Sequence, residues 1–309
     1  MFQAKFRKRS EIQKMSQSAL TTFAYAKINL ALAILGVRED GFHELQSVMQ
    51  SIALHDVVSV RRYGNELVCN CGAISGSANI AHKAAALFLE RLGKTEGIEI
   101  SIDKRIPAQA GLGGGSADAA AVLRLLNRLY DNPFSEEILV QLAGKCGADV
   151  AFCLNGGSKW ASGRGELLED LPTAPTLDLV LAKPFAGIST KEAYIRFDKA
   201  GRGGRLDKEA WEKALKQASG QQIAALLYND LELPSGQLVP KIFELKESLL
   251  KAGCYGALMS GSGSCVFGLA NGEKHAGEAA AYMRKKGHKN IWVTKTIPEF
   301  SGLNDCAVW

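Results

Sequence analysis

Four short stretches of this chain carry residue types that can handle a phosphate and a hydroxyl together. The first is Pro107 to Ala121, PAQAGLGGGSADAAA, where Gly111, Gly113, Gly114 and Gly115 precede Ser116 and an alanine-rich helical pattern. Glycines let a backbone turn sharply and approach a ligand closely. Where such a loop opens a helix, free N–H groups and the positive end of the helix dipole converge on one spot, which suits a nucleotide polyphosphate. The second stretch is Ala24-Tyr25-Ala26-Lys27-Ile28-Asn29-Leu30, whose Lys27 and Asn29 project from one strand face. A lysine on an inner face is costly unless it meets an anion, and on a solvated face it needs nothing; the residues alone leave both open. The third, Gly147-Ala148-Asp149-Val150-Ala151-Phe152, holds a lone carboxylate among small and apolar neighbours, either a helix N-cap or a base kept ionised by a lysine. The fourth, Ser260-Gly261-Ser262-Gly263-Ser264, is a tight hairpin or a second concentration of free N–H groups. A lysine, an aspartate and a phosphate-cradling loop are the parts that phosphoryl transfer to a hydroxyl requires, because its barrier is one of positioning and charge.

Other glycine-loop chemistries do not fit. No Gly-Lys-Ser/Thr completes a P-loop, and Ser116 and Asp118 stand where a dinucleotide fingerprint needs glycine. A flexible linker is not flanked by a strand pattern and a strong helical run.

The elements that must hold these residues follow from periodicity and punctuation. Strand patterns cover Phe23–Gly36, Ser47–Ala53, Asp56–Arg62 and Ile98–Ile102, with a helical pattern over Asn79–Leu92. Helices are expected over Ser116–Leu129 and Ser135–Cys146, then a strand over Ser158–Glu169. The stretch Leu171-Pro172-Thr173-Ala174-Pro175 marks a domain boundary, dividing a first domain, 21–172, from a second, 173–309. Beyond it come a buried strand (Leu177–Ala182), a helix after Ser189, helices over Asp207–Ala218, Gln222–Tyr228 and Pro240–Ala252, a strand pair around the Ser260–Ser264 loop, a helix (His275–Lys286) and a last strand (Asn290–Thr296). The sum is an α+β protein in two layered halves.

Composition narrows the rest. At 309 residues, 47% hydrophobic and 22% charged, the chain can bury a sizeable core. A net charge of +5, with no basic-aromatic cluster outside the extreme N-terminus, gives little support for a nucleic-acid partner. No apolar run reaches membrane-spanning length. The basic patch Lys5–Ser10 is not followed by an apolar stretch, so residues 1–20 read as a disordered extension; a short transit peptide or an upstream extension before Met15 are the alternatives. Seven cysteines without zinc spacing read as reduced thiols, Cys69 and Cys71 as strand positions and Cys146, Cys153, Cys254 and Cys265 as small core residues, in a cytoplasmic protein.

In this order, the Lys27-x-Asn29 strand, the PAQAGLGGGSADAA loop and Met259-Ser260-Gly261-Ser262-Gly263-Ser264 resemble the three motifs of the GHMP small-molecule kinases. The Gly41-Phe42-His43 turn, Leu45-Gln46-Ser47, Gly147–Val150, Gly163-Arg164-Gly165-Glu166 and Asn229-Asp230-Leu231-Glu232 are similar to the branch that acts on a cytidine diphosphate conjugate of methylerythritol. The resemblance runs from about Phe23 to near the C-terminus and implies a two-domain fold with the active-site cleft between domains. It implies ATP and Mg²⁺, with Asp149 as catalytic base and Lys27 as its partner. Gly111, Leu112, Gly113, Gly114, Gly115 and Ser116, flanked by Pro107, Ala110 and Ala117, would hold the ATP phosphates, Ser116 near the Mg²⁺, and Asn79 would line the adenosine side. Asn29, Phe42, His43 and Tyr194, with Ser260, Gly261, Ser262 and Gly263, would bind the alcohol substrate, His43 at the cytosine edge and Phe42 and Tyr194 on its faces. Mevalonate, homoserine and galactose kinases share the glycine loop but have no reason to carry a cytosine-reading turn. A nucleotide sensor would have lost the lysine–aspartate pair. Monomer and homodimer are both compatible with the sequence.

Overall fold

The computed structural model describes residues 19–200, 203–300 and 307–308. Most of the 1–20 extension therefore lies outside the described residues, and Leu20 already belongs to the first strand.

Two long strands dominate the first half, β1 (Leu20–Val37) and β2 (His43–Arg62), antiparallel across the Gly41 turn. The two shorter runs read from sequence over 47–62 are one strand. The register jumps from Tyr25↔His55 to Lys27↔Ser51, so Ile52–Leu54 form a bulge where the pattern breaks. Then come β3 (Leu67–Asn70), α1 (Ile80–Leu92), β4 (Ile98–Asp103), α2 (Gly114–Leu129), α3 (Glu136–Cys146), α4 (Ala148–Asn155), β5 (Ser158–Ser162) and β6 (Leu167–Asp170). The strand expected over 158–169 is a hairpin, because Gly163 and Gly165 adopt positive φ between β5 and β6.

The second half contains β7 (Asp178–Ala182), α5 (Thr190–Ala200), α6 (Lys208–Gln217), α7 (Gly220–Ala225), β8 (Tyr228–Asn229), α8 (Glu232–Leu238), α9 (Lys241–Lys251), β9 (Gly256–Met259), β10 (Val266–Leu269), α10 (Gly272–Lys285), β11 (Ile291–Lys295) and β12 (Ala307–Val308). The helix expected over 222–228 ends at Ala225, and Tyr228 enters a strand. α8 carries Pro234 in its first turn, where a missing N–H costs nothing.

These elements make an α+β fold with two sheets. The first has the order β12-β1-β2-β4-β3, with β5 and β6 continuing from β2 and β8 parallel to β1. The second has the order β11-β7-β10-β9, antiparallel throughout, and all its strands follow residue 177. Helices α1 to α4 pack with the first sheet around Phe88, Ile98, Ile100, Leu123 and Phe152. A second cluster, with Ile28, Leu30, Trp211 and Phe267, joins β1 to the second sheet. β1 is thus buried on both sides over Ala26–Ile34, which explains its nearly unbroken apolar run. No helix among the described residues is long and apolar enough to cross a membrane.

Candidate active site

A cleft of about 1370 Å³ runs along the middle of β1, between the glycine loop before α2 and the loop joining β9 to β10. Lys27 and Asn29 lie in its wall with only 4% exposure each, so the strand face that sequence alone left open is an inner one. The anion a buried lysine needs is present: Lys27 Nζ is 3.4 Å from Asp149 Oδ2. Nζ also donates to Asn29 Oδ1 at 2.7 Å, and Asn29 Nδ2 donates to Ser47 Oγ at 2.8 Å. Asp149 sits in the first turn of α4 with Gly147 at the cap position, so it is not an N-cap. Its carboxylate is partly open to the cleft and faces the ammonium.

The glycine loop meets β1 directly, the Lys27 N–H donating to the Leu112 carbonyl at 3.0 Å. Gly113 caps α2 in the left-handed region (φ +68°), leaving the first N–H groups of that helix without helical partners at the cleft. A Cβ there would lie 3.0 Å from Lys27 Cγ, so the missing side chain makes room for the lysine. The 260–264 loop is both readings at once, a hairpin between β9 and β10 and a wall of the cleft. Ser260 Oγ accepts the Asn29 N–H at 3.2 Å and donates to the Gly111 carbonyl at 2.9 Å. One hydroxyl therefore ties the strand and both glycine loops together. Asn229 supports the same loop, Nδ2 donating to the carbonyls of Met259 (2.7 Å) and Gly261 (2.8 Å).

At the far end, His43 Nε2 is 2.7 Å from Asp198 Oδ1, and its ring lies on Tyr194 with centroids 4.6 Å apart. Burial, aided by the charge of Asp149, pushes the Tyr194 hydroxyl up to about 12, so it stays a donor. Phe42 is 54% exposed, and the Arg164 guanidinium stands 4.9 Å from its ring centre. Asn79 lines the opposite end, but its side chain is committed to structure: Oδ1 accepts from Ala81 N and Nδ2 donates to Ile74 O, both at 2.9 Å.

Nearly every residue singled out from sequence lines this one cleft. Ala117 and Ser260 do not; both are buried behind its wall, Ala117 in the core and Ser260 as the tie just described. Sequence reasoning missed Lys104 and Asp198 in the wall and Asp56 behind it, and gave no site role to Asp118 and Arg164, which lie in the motifs quoted for the resemblance. The available signal was local: Asp56 stands directly before Val57-Val58, and Asp118 stands among the alanines that open α2. Burial pushes the Asp118 carboxyl up to about 7, opposed by Lys104 and reinforced by Asp56.

Fold and cleft together define a GHMP-type kinase architecture, and independent matches agree. The family models for the GHMP kinases N terminal domain and the GHMP kinases C terminal match residues 79–157 and 211–289. The chain belongs to the GHMP kinase family. Within it, the chain is 51% identical over 284 residues to the 4-diphosphocytidyl-2-C-methyl-D-erythritol kinase of Desulfitobacterium hafniense, covering 92% of this chain and 98% of that one. It is 43% identical over 288 residues to the protein of the same name from Pelotomaculum thermopropionicum, covering 90% and 98%. A crystal structure of 4-(cytidine 5'-diphospho)-2C-methyl-D-erythritol kinase superposes with a TM-score of 0.78 at 37% identity, covering 89% of this chain and 98% of that one.

Proposed function

We infer that this chain transfers the γ-phosphoryl group of ATP to the 2-hydroxyl of 4-diphosphocytidyl-2-C-methyl-D-erythritol. The observation that carries the reaction type is the Lys27–Asp149 pair, 3.4 Å apart at the meeting of two glycine-rich loops. The relatives named above carry the substrate.

In this reading Asp149 takes the proton of the 2-hydroxyl as its oxygen bonds to the γ-phosphorus and the bond to the β-phosphate oxygen breaks, releasing ADP. Lys27 keeps Asp149 ionised and offsets charge on the transferring group, and Asn29 holds the Lys27 ammonium in place. The backbone of Gly111–Ser116 and the start of α2 receive the phosphates. Mg²⁺ neutralises phosphate charge when bound. The Ser116 hydroxyl, which lines the cleft at the start of α2, would be the side chain to hold that ion. Phe42, Tyr194 and His43 offer aromatic faces and a polar edge for the cytosine. The cleft lies between a first domain, 21–172, and a second, 173–309, and the enzyme works in the cytoplasm.

The test is a coupled ADP-release assay with Mg-ATP, comparing the cytidine diphosphate conjugate with mevalonate, homoserine and galactose. Turnover with the cytidine conjugate alone is expected. Turnover with another alcohol would keep the kinase chemistry and discard the cytosine site; ATP binding without any turnover would make the chain a nucleotide sensor.

A further inference from the structure

Behind the glycine loop, three charged side chains from separate elements meet largely out of water. Asp56 of β2 is fully buried and takes no part in the cleft wall. Its Oδ1 accepts the Ile106 N–H at 2.7 Å and also the Arg105 N–H, and its Oδ2 accepts from Lys104 Nζ. Lys104 Nζ donates in turn to Asp118 Oδ2, 2.7 Å away on α2. Residues 104–106 lead into the glycine loop and Asp118 stands on the helix that leaves it, so one ammonium and one carboxylate hold both ends of the loop. The loop packs onto this tie, since a Cβ at Gly114 would lie 3.3 Å from Lys104 Nζ.

Two carboxylates against one ammonium is an expensive arrangement to bury. It also leaves Asp118 Oδ1 buried without a hydrogen-bond partner. Asp56 satisfies two backbone donors, but the second carboxylate with its unpartnered oxygen is a cost that stability alone does not account for.

We propose that Asp56, acting through Lys104 and Asp118, is a positioning residue for the nucleotide, holding the two ends of the glycine loop at the separation that admits a polyphosphate. The inference rests on the ATP reading above. Asp56 itself touches no substrate. It receives three donors with two oxygens, so in the isosteric Asp56→Asn change an amide N–H₂ must face at least one of them, donor against donor. Whichever way the amide turns, Asp56 loses either its hold on Lys104 or its two backbone bonds, while the glycines of the loop are unchanged.

The experiment is calorimetric titration of ATP with Mg²⁺, without acceptor alcohol, into wild type and Asp56→Asn, alongside hydrogen exchange over 104–116. The expected result is a Kd for ATP raised about tenfold or more, from loss of a charge-assisted bond. Exchange over 104–116 should quicken, with the Ser264 and Cys265 amides that bond to Gln109 and Ala110, while the distant helix 272–285 stays unchanged. Should Asp56→Asn fail to fold, Asp118→Ala leaves the Asp56 bonds to the backbone and frees the helix end, with the same loss expected. A folded variant that binds ATP within twofold of wild type, at unchanged exchange over 104–116, overturns the proposal even if its Tm falls, because the cluster is then structural only. Wild type that binds no ATP overturns the functional reading and this one with it.

Discussion

Gly111→Ala tests whether the two glycine loops must touch for the cleft to work. Gly111 has φ +73°, a region that costs an L side chain about 1–2 kcal/mol. The added Cβ would also overlap the Ser260 carbonyl oxygen, well inside the 3.0 Å that real Cβ atoms keep, and would lie 3.0 Å from Gly263 N. Both obstacles are backbone, so no rotamer change relieves them; the loops must part by about 1 Å, a displacement that costs roughly 100-fold in rate where geometry decides the reaction. Separation also breaks the Ser260 bond to Gly111 and so loosens the support of Asn29. The assay is kcat by coupled ADP release together with thermal melting. The expected outcome is kcat down about 100-fold with Tm lowered by only a few degrees. Gly277→Ala, on α10 with open space around it and no positive φ, serves as the control and keeps wild-type activity. A folded Gly111→Ala enzyme with more than about a tenth of wild-type kcat would refute the reasoning.

Asp149→Ala is expected to lose turnover by at least about 1000-fold while ATP binding by titration stays near wild type, and activity above that level removes Asp149 as the base. Lys27→Met should lower kcat and leave the KM for ATP nearly unchanged; a change in KM alone would make Lys27 a ground-state phosphate contact instead. The thiols give a pH prediction. Burial pushes Cys69 and Cys254 up to about 11 from an ordinary 9.0, so the unfolded chain ionises first. Their contribution to stability is therefore full below pH 9 and is lost as pH rises towards 11, which urea melts across that range would show. The same protonation makes native protein slow to react with a thiol reagent at pH 8, and fast labelling of Cys69 or Cys254 would contradict it.

Much of the site was legible before any coordinates because its parts are local. Glycines before an alanine-rich helix and a lysine and asparagine two apart on a strand announce themselves within a few residues. Their pairing was not local: the residues alone left Lys27 and Asp149 each open, only the family resemblance implied them as partners, and the fold sets them 3.4 Å apart. The Asp56–Lys104–Asp118 tie was invisible for the same reason, joining residues 48 positions apart on separate elements. Among the elements, α4 and α8 escaped notice because one is eight residues after a glycine and the other carries a proline. β8 is two residues long and exists only because β1 offers an edge. The long β2 was split in two because a bulge interrupts alternation much as a turn does.

The pairing of β8 with β1 has a consequence for how the molecule is made. Asn29 receives its Ser260 partner 231 residues later in the chain, and the Ile34 N–H finds Asp230 after 196. A ribosome that has finished the glycine loop has therefore produced a strand whose outer edge stays bare until most of the remaining chain emerges. Such long-range closure slows folding, and an unpaired edge invites association with other chains. Nascent chains stopped before Tyr228 are thus expected to bind chaperones or aggregate, and those extending past Ser264 to escape both fates.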